Sequence, residues 1–232
     1  MNRAVYFLMH LFWISIISCT NKKGENYKDI NPDAIYFDYQ IRGEEEKDFI
    51  TCMFQFRYGE DDETTLVLEP PSKVLLDGEV LNAESAKYSG AYYEVNIDKQ
   101  EFEGEHTIIF TDINGKQYQE SFNFYSFSLK EQFPETIKRD SFSIYLENVK
   151  RGTKIRYVLT DTSFESEGIN EVQRINSSGR LHFTRAELDN LKSGPVTLLL
   201  NLERDRRLKN GTKEGGRLSI SYALRREFEL TD

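Results

Sequence analysis

ITCMFQFRY, residues Ile50 to Tyr58, alternates with a period of two. Ile50, Cys52, Phe54, Phe56 and Tyr58 fall on one side of an extended chain, and Thr51, Met53, Gln55 and Arg57 on the other. A helix would scatter these apolar residues around its circumference, so the stretch reads as a strand with one buried face. Outward along the chain the same period returns at Phe142, Ile144 and Leu146, and again at Ile155, Tyr157 and Leu159. Val196, Leu198, Leu200 and Leu202 form another set, and Leu218, Ile220, Tyr222 and Leu224 the last. Turn residues separate such runs. Asp77-Gly78 follows Val74-Leu75-Leu76, and Asn114-Gly115 lies between Ile108-Ile109-Phe110 and the run Tyr118 to Phe124. Glycine there accepts the positive φ that tight hairpin turns require. Closely spaced strands with few helical windows predict an all-β protein of antiparallel sandwiches. The exception is Thr184-Arg185-Ala186-Glu187, a capping box followed by Leu188 and Leu191. It predicts one short helix near 185–192, ended by Gly194-Pro195.

Two stretches share an outline: FEGEHTIIFTD (Phe102 to Asp112) and LKSGPVTLLLNL (Leu191 to Leu202). Each runs from an apolar residue through a glycine and a threonine into an apolar strand. The outline resembles the approach to a late strand in bacterial immunoglobulin-like and fibronectin type III-like modules. In those modules the strand often ends in Asp-x-x-Gly, as Asp112-Ile113-Asn114-Gly115 does; the second copy lacks that ending. His106 falls near where such domains place a tyrosine that bonds across a corner. The resemblance implies two immunoglobulin-like β-sandwich domains, 32–128 and 129–232, with a short linker near Phe127 to Glu131. Charge breaks at the same place. Residues 30–128 carry 7 basic and 21 acidic side chains, whereas 129–232 carry 19 and 16. One larger sandwich spanning both halves is the alternative.

The first residues have a different character. Asn2 and Arg3 precede a mostly apolar run from Ala4 to Ser18. A bilayer-spanning helix needs about 20 apolar residues, so this shorter run reads as the core of a signal peptide, residues 1–18. Ile16-Ile17-Ser18-Cys19 resembles the lipobox of bacterial lipoproteins. That resemblance implies cleavage before Cys19 and acyl chains on its sulfur and amine, which hold a protein on a membrane. Residues 19–31 are then a lipidated start and polar tether. Thr20, where an aspartate would retain the protein, implies transfer to the outer membrane. The aromatic-rich style is similar to Bacteroidetes lipoproteins, although Lys22-Lys23-Gly24 departs from their acidic export tags. Periplasmic and surface display both stay open.

Specific chemistry is sparse in the sequence. No GxSxG, HExxH, CxxC, GxGxxG or GxxxxGK[ST] motif occurs. Beyond residue 29 there are two histidines, His106 and His182, one cysteine, Cys52, and no tryptophan. Both histidines lie in strand-like runs and Cys52 on an apolar face, so each reads as structural. A net charge of −9 argues against nucleic acid as a partner. Glu60, Asp61, Asp62 and Glu63 form a loop cluster that would at most gather calcium weakly, since they lack the spacing of a known calcium loop. Arg204, Arg206, Arg207, Lys209, Lys213 and Arg217 form a basic stretch, expected to be a mobile loop over 203–217 that meets an anionic partner. Tyr88, Tyr92 and Tyr93, with Tyr36 and Tyr39, alternate between faces and offer rings to sugars. These residues predict a non-catalytic, membrane-anchored envelope lipoprotein without cofactors, a structural or protein-interaction module that meets an envelope protein or glycan. The alternative is a cell-surface glycan binder, and after that a hydrolase using paired carboxylates.

Overall fold

The computed structural model describes residues 25–26, 30–59, 64–86, 90–163 and 168–232. Cys19, the signal peptide, most of the tether, the 60–63 acidic cluster and Tyr88 lie outside the described residues. The chain is all-β with several antiparallel sheets. Its first half holds β1 (Glu25–Asn26), β2 (Tyr36–Glu44), β3 (Phe49–Tyr58), β4 (Thr64–Val67) and β5 (Lys73–Leu76). These are followed by β6 (Glu79–Val80), β7 (Ala83–Ala86), β8 (Gly90–Asp98), β9 (Gly104–Thr111) and β10 (Gln117–Phe124). Then come β11 (Ser128–Leu129), β12 (Thr136–Lys138), β13 (Phe142–Glu147), β14 (Lys154–Asp161), β15 (Ile169–Arg174) and β16 (Arg180–Phe183). A single-turn helix, α1 (Arg185–Leu188), precedes the two longest strands, β17 (Gly194–Arg207) and β18 (Gly216–Thr231).

The helix forms where the capping box predicts it. Thr184 accepts from the Glu187 backbone N–H, and the Glu187 carboxylate accepts from that of Thr184. It is shorter than 185–192, because after Leu188 the chain continues as hydrogen-bonded turns to Leu191. Arg139 receives it: Nη1 donates to the carbonyls of Leu188 (2.5 Å) and Leu191 (2.8 Å), Nη2 to Ser193 Oγ, and Nε to Asp232 at 3.0 Å. Of the two expected turns, Asp77-Gly78 is the tight one, whereas Asn114-Gly115 lies within a five-residue loop, 112–116, with Gly115 at positive φ (80°). Asp77 and Gly78 both have positive φ (50° and 92°) between the paired residues Leu76 and Glu79. Between β9 and β10 the chain closes from Asp112 to Lys116, with Asp112 Oδ1 accepting from the Asn114 and Lys116 amides.

One sheet dominates, with the strand order β1-β4-β3-β2-β18-β17-β14-β15; β8 adds to β3 and β12 to β18. At its centre β2 and β18 run parallel, in register from Phe37 opposite Gly216 to Glu44 opposite Ala223. Strands from before and after residue 128 therefore belong to one hydrogen-bonded surface. The second sheet is β10-β9-β5-β6 and the third β11-β13-β16.

Between these sheets lies a core that draws on both halves. Ile50, Cys52, Phe54 and Phe56 are fully buried, as the opening alternation predicts. Phe37, Phe56 and Phe110 meet ring to ring at 4.6 to 5.5 Å. Phe124 and Phe127 from the first half pack edge-on against Tyr222 of β18, at 6.1 and 5.5 Å. Gly43 sits on β2 where a Cβ would come within 2.7 Å of Ile50 and Tyr222 side-chain atoms, so a side chain there would have to push both aside.

Candidate functional site

The basic stretch is not a loop throughout. Arg204, Arg206 and Arg207 are on β17 and Arg217 on β18, leaving 208–215 as the connection, which is shorter than the expected 203–217. Its charged composition imitates a loop, but strand pairing with β18 continues to Arg207 opposite Arg217. On β17 the even positions Val196, Leu198, Leu200 and Leu202 face the core. Period two puts Arg204 and Arg206 on that same side. The apolar core has ended there, and the two guanidinium groups reach over β10.

β10 is an edge strand of its sheet. Three carbonyls at alternate positions along it receive side-chain donors: Gln119 O from Asn210 Nδ2 (3.0 Å), Ser121 O from Arg206 Nη2 (2.9 Å), and Asn123 O from Arg204 Nη2 (3.2 Å). Buried Glu120 pairs with Arg206 Nη2 at 2.7 Å and accepts from the Lys209 backbone N–H at 2.7 Å. An edge that would otherwise offer free backbone groups is thus capped by the basic hairpin.

The other basic residues lie elsewhere. Arg217 donates to both oxygens of Asp38, at 2.8 and 3.1 Å. Asp38 is only 1% exposed and also meets Arg57 at 2.9 Å and Gln40 at 3.1 Å. That hydrogen bond raises the Arg217 guanidinium further above its ordinary value. Lys213 pairs with Asp33 at 2.8 Å, which lowers the carboxyl and raises the amine. Arg207 is exposed. Each of these acidic partners belongs to the first half of the chain and each basic partner, Arg57 apart, to the second.

Arg204, Arg206 and Lys209 are brought together. With Asn123, Tyr125 and Lys150 they line a groove of about 380 Å³. An adjoining space of about 750 Å³ begins at Tyr125 and Lys150 and includes Asn148. Tyr125 is 41% exposed, its hydroxyl donates to Asn123 Oδ1 at 3.2 Å, and Lys150 Nζ stands 5.8 Å from its ring centre. Partial burial holds the Arg204 guanidinium somewhat below its ordinary value. Sequence reasoning missed Tyr125 and Lys150. The signal for Tyr125 was available in NFYSF: Phe124 and Tyr125 are adjacent, so in a strand-like run only one of them faces the core.

The histidines hold structure together. His106, buried and stacked on Phe102 at 3.8 Å, has Nδ1 2.7 Å from Asp77 and Nε2 2.7 Å from the Phe102 carbonyl. His182 Nδ1 is shared by Ser143 Oγ (3.0 Å), the Phe142 carbonyl (3.1 Å) and Arg180 Nη2 (3.2 Å). Burial pushes the Cys52 thiol well up, aided by the Asp77 charge. Among the described residues no three His, Cys, Asp or Glu side chains are grouped to hold a metal ion, and no helix is long and apolar enough to cross a membrane.

No protein-family model matches the chain, and no curated protein does. Solved structures are similar at low identity. A tetra-tandem repeat from the extending region of a large adhesion protein is 13% identical, with 83% of this chain and 49% of that one covered, at a TM-score of 0.26. The Bacteroides ovatus mixed-linkage glucan utilization locus protein SGBP-B, in complex with a mixed-linkage heptasaccharide, is 13% identical over 89% and 45%, at 0.23. A 1.5-MDa bacterial ice-binding adhesin is 10% identical over 87% and 65%, at 0.24. The chain spans about half the length of the first two. Function is therefore read from this chain's own residues.

Proposed function

We propose that this protein is a non-catalytic lipoprotein of the bacterial envelope, held at the outer membrane through Cys19 and acting as a structural or protein-interaction module. In this reading residues 32–128 and 129–232 are two immunoglobulin-like units fused along the β2–β18 seam. The observation that supports the structural part is that seam, whereas the anchor rests on the lipobox resemblance of Ile16-Ile17-Ser18-Cys19. Ion pairs across it, such as Arg217–Asp38 and Arg226–Glu45, direct charged side chains to holding shape. Several carboxylates are held in place by hydrogen bonds in the same way. Asp33 and Asp232 are held below the usual carboxylate range by hydrogen bonds from Lys213 and Arg139. Burial raises Glu187, but bonds from Thr184 and Tyr157 outweigh it, so its shift is also downward.

A second reading, a surface glycan-binding protein, is favoured by exposed Tyr125 beside Asn123 and Lys150. Calcium at Glu60, Asp61, Asp62 and Glu63 stands as a lesser proposal. The anchor is tested by acyl labelling and membrane fractionation. The wild-type chain should label and sediment with membranes, and Cys19→Ala should do neither. A variant that still labels and sediments contradicts the anchor.

A further inference from the structure

We propose that the groove between β10, the 148–150 turn and the start of the β17–β18 connection binds an acidic saccharide, a sugar ring carrying a carboxylate or sulfate group. This rests on the second reading above, a glycan-binding protein, and names its ligand class. Charge comes first. Lys150, Arg204, Arg206 and Lys209 line the groove, against Asp205 as the acidic member. Arg206 already faces Glu120, whereas Arg204 donates to a neutral carbonyl and Lys150 lies over a neutral ring. Positive charge beyond what the fold uses is thus concentrated in one concave place. Guanidinium and ammonium donors hold carboxylate and sulfate oxygens through short, charge-assisted bonds.

The aromatic decides between a sugar and a bare anion. Tyr125 sits where the two spaces meet, with much of its ring open to solvent. An aromatic face packs on the C–H face of a pyranose and offers nothing comparable to phosphate. The amides of Asn123 and Asn148 supply both donors and acceptors for ring hydroxyls. The groove falls within the size range of small-molecule sites, and the adjoining space shares Tyr125 and Lys150 with it. Lys150 borders both spaces, but Glu103 also lines the adjoining one, where it accepts from the Ser126 amide, so the acidic group belongs on the ring held in the arginine-lined groove.

The test titrates the full-length protein in detergent micelles, by calorimetry, with oligogalacturonate, a sulfated dextran oligosaccharide and a neutral malto-oligosaccharide of equal length. At least one acidic oligosaccharide should bind about tenfold or more tightly than the neutral one, with affinity falling as salt is added. Which of the two acidic probes binds identifies carboxylate or sulfate as the recognised group. Lys150→Gln and Arg204→Gln should each weaken that binding by about tenfold. Tyr125→Ala should weaken it while leaving any binding of inorganic sulfate unchanged. Thermal melting of each variant separates these effects from loss of fold. Failure of both acidic probes to bind the folded protein overturns the proposal. So does equal binding of the neutral probe, or binding indifferent to Lys150→Gln and Tyr125→Ala. Any of these leaves the Cys19 fractionation result untouched, and a failed anchor leaves the titration measurable.

Discussion

At the scale of single residues, buried charge and buried phenol make the firmest predictions. Glu120 is 2% exposed and Arg206 is its cation at 2.7 Å. Arg206→Ala leaves that carboxylate buried without its partner, which costs on the order of 3 kcal/mol. Denaturant unfolding should show the loss, and adding Glu120→Gln should recover part of it, since a neutral amide suffers less from burial. A further expectation concerns alkali. Burial raises the phenols of Tyr39, Tyr93, Tyr157 and Tyr222, the last to about 12. Each favours its neutral form more strongly in the folded chain than in the unfolded one, where it ionises near 10. Their contribution is therefore complete below about pH 10 and is lost as pH rises toward 12. Tyrosine absorbance should rise in two stages, with solvent-exposed phenols ionising at about pH 10 while the circular dichroism is unchanged, and the buried four only as it is lost. Tyrosine ionisation that finishes while the fold is intact would contradict the burial.

At the scale of elements, β10 is the exposed liability and the basic hairpin its cover. Arg204, Arg206 and Asn210 donate to carbonyls at positions 123, 121 and 119. Replacing all three with alanine should free a row of edge groups and promote association, seen as rising light scattering at temperatures where the parent stays monodisperse. Elements were largely legible in the sequence, because strand alternation and the capping box are local signals: Ile50 to Phe56, Val196 to Leu202 and Thr184 to Glu187 behave as their spacing requires. The basic stretch was legible in charge but not in conformation. Four of its six cations sit on strands, and their alternate-position contacts with β10 depend on which strand lies opposite. The groove was half legible. Arg204, Arg206 and Lys209 stand out by charge, whereas Lys150 and Tyr125 reach them through a fold that joins positions far apart in the chain.

At the scale of the whole molecule, the pairing of β2 with β18 is the decisive feature and the one no local pattern announces. Phe37 and Gly216 lie opposite one another although 179 positions separate them. An acidic first half and a basic second half suggest two bodies, and in the folded chain that asymmetry becomes attraction across a seam: Asp33 with Lys213, Asp38 with Arg217, Glu45 with Arg226, Glu120 with Arg206. Aromatic packing of Phe124 and Phe127 on Tyr222 adds apolar area to the same contact. Two halves sharing a central sheet and core should unfold as one, since separating them breaks a parallel strand pair and uncovers both. Scanning calorimetry of the intact chain tests this most directly. A single transition, with calorimetric and van't Hoff enthalpies in agreement, is the predicted result; two separate transitions, each reproduced by residues 32–128 or 129–232 alone, would contradict it.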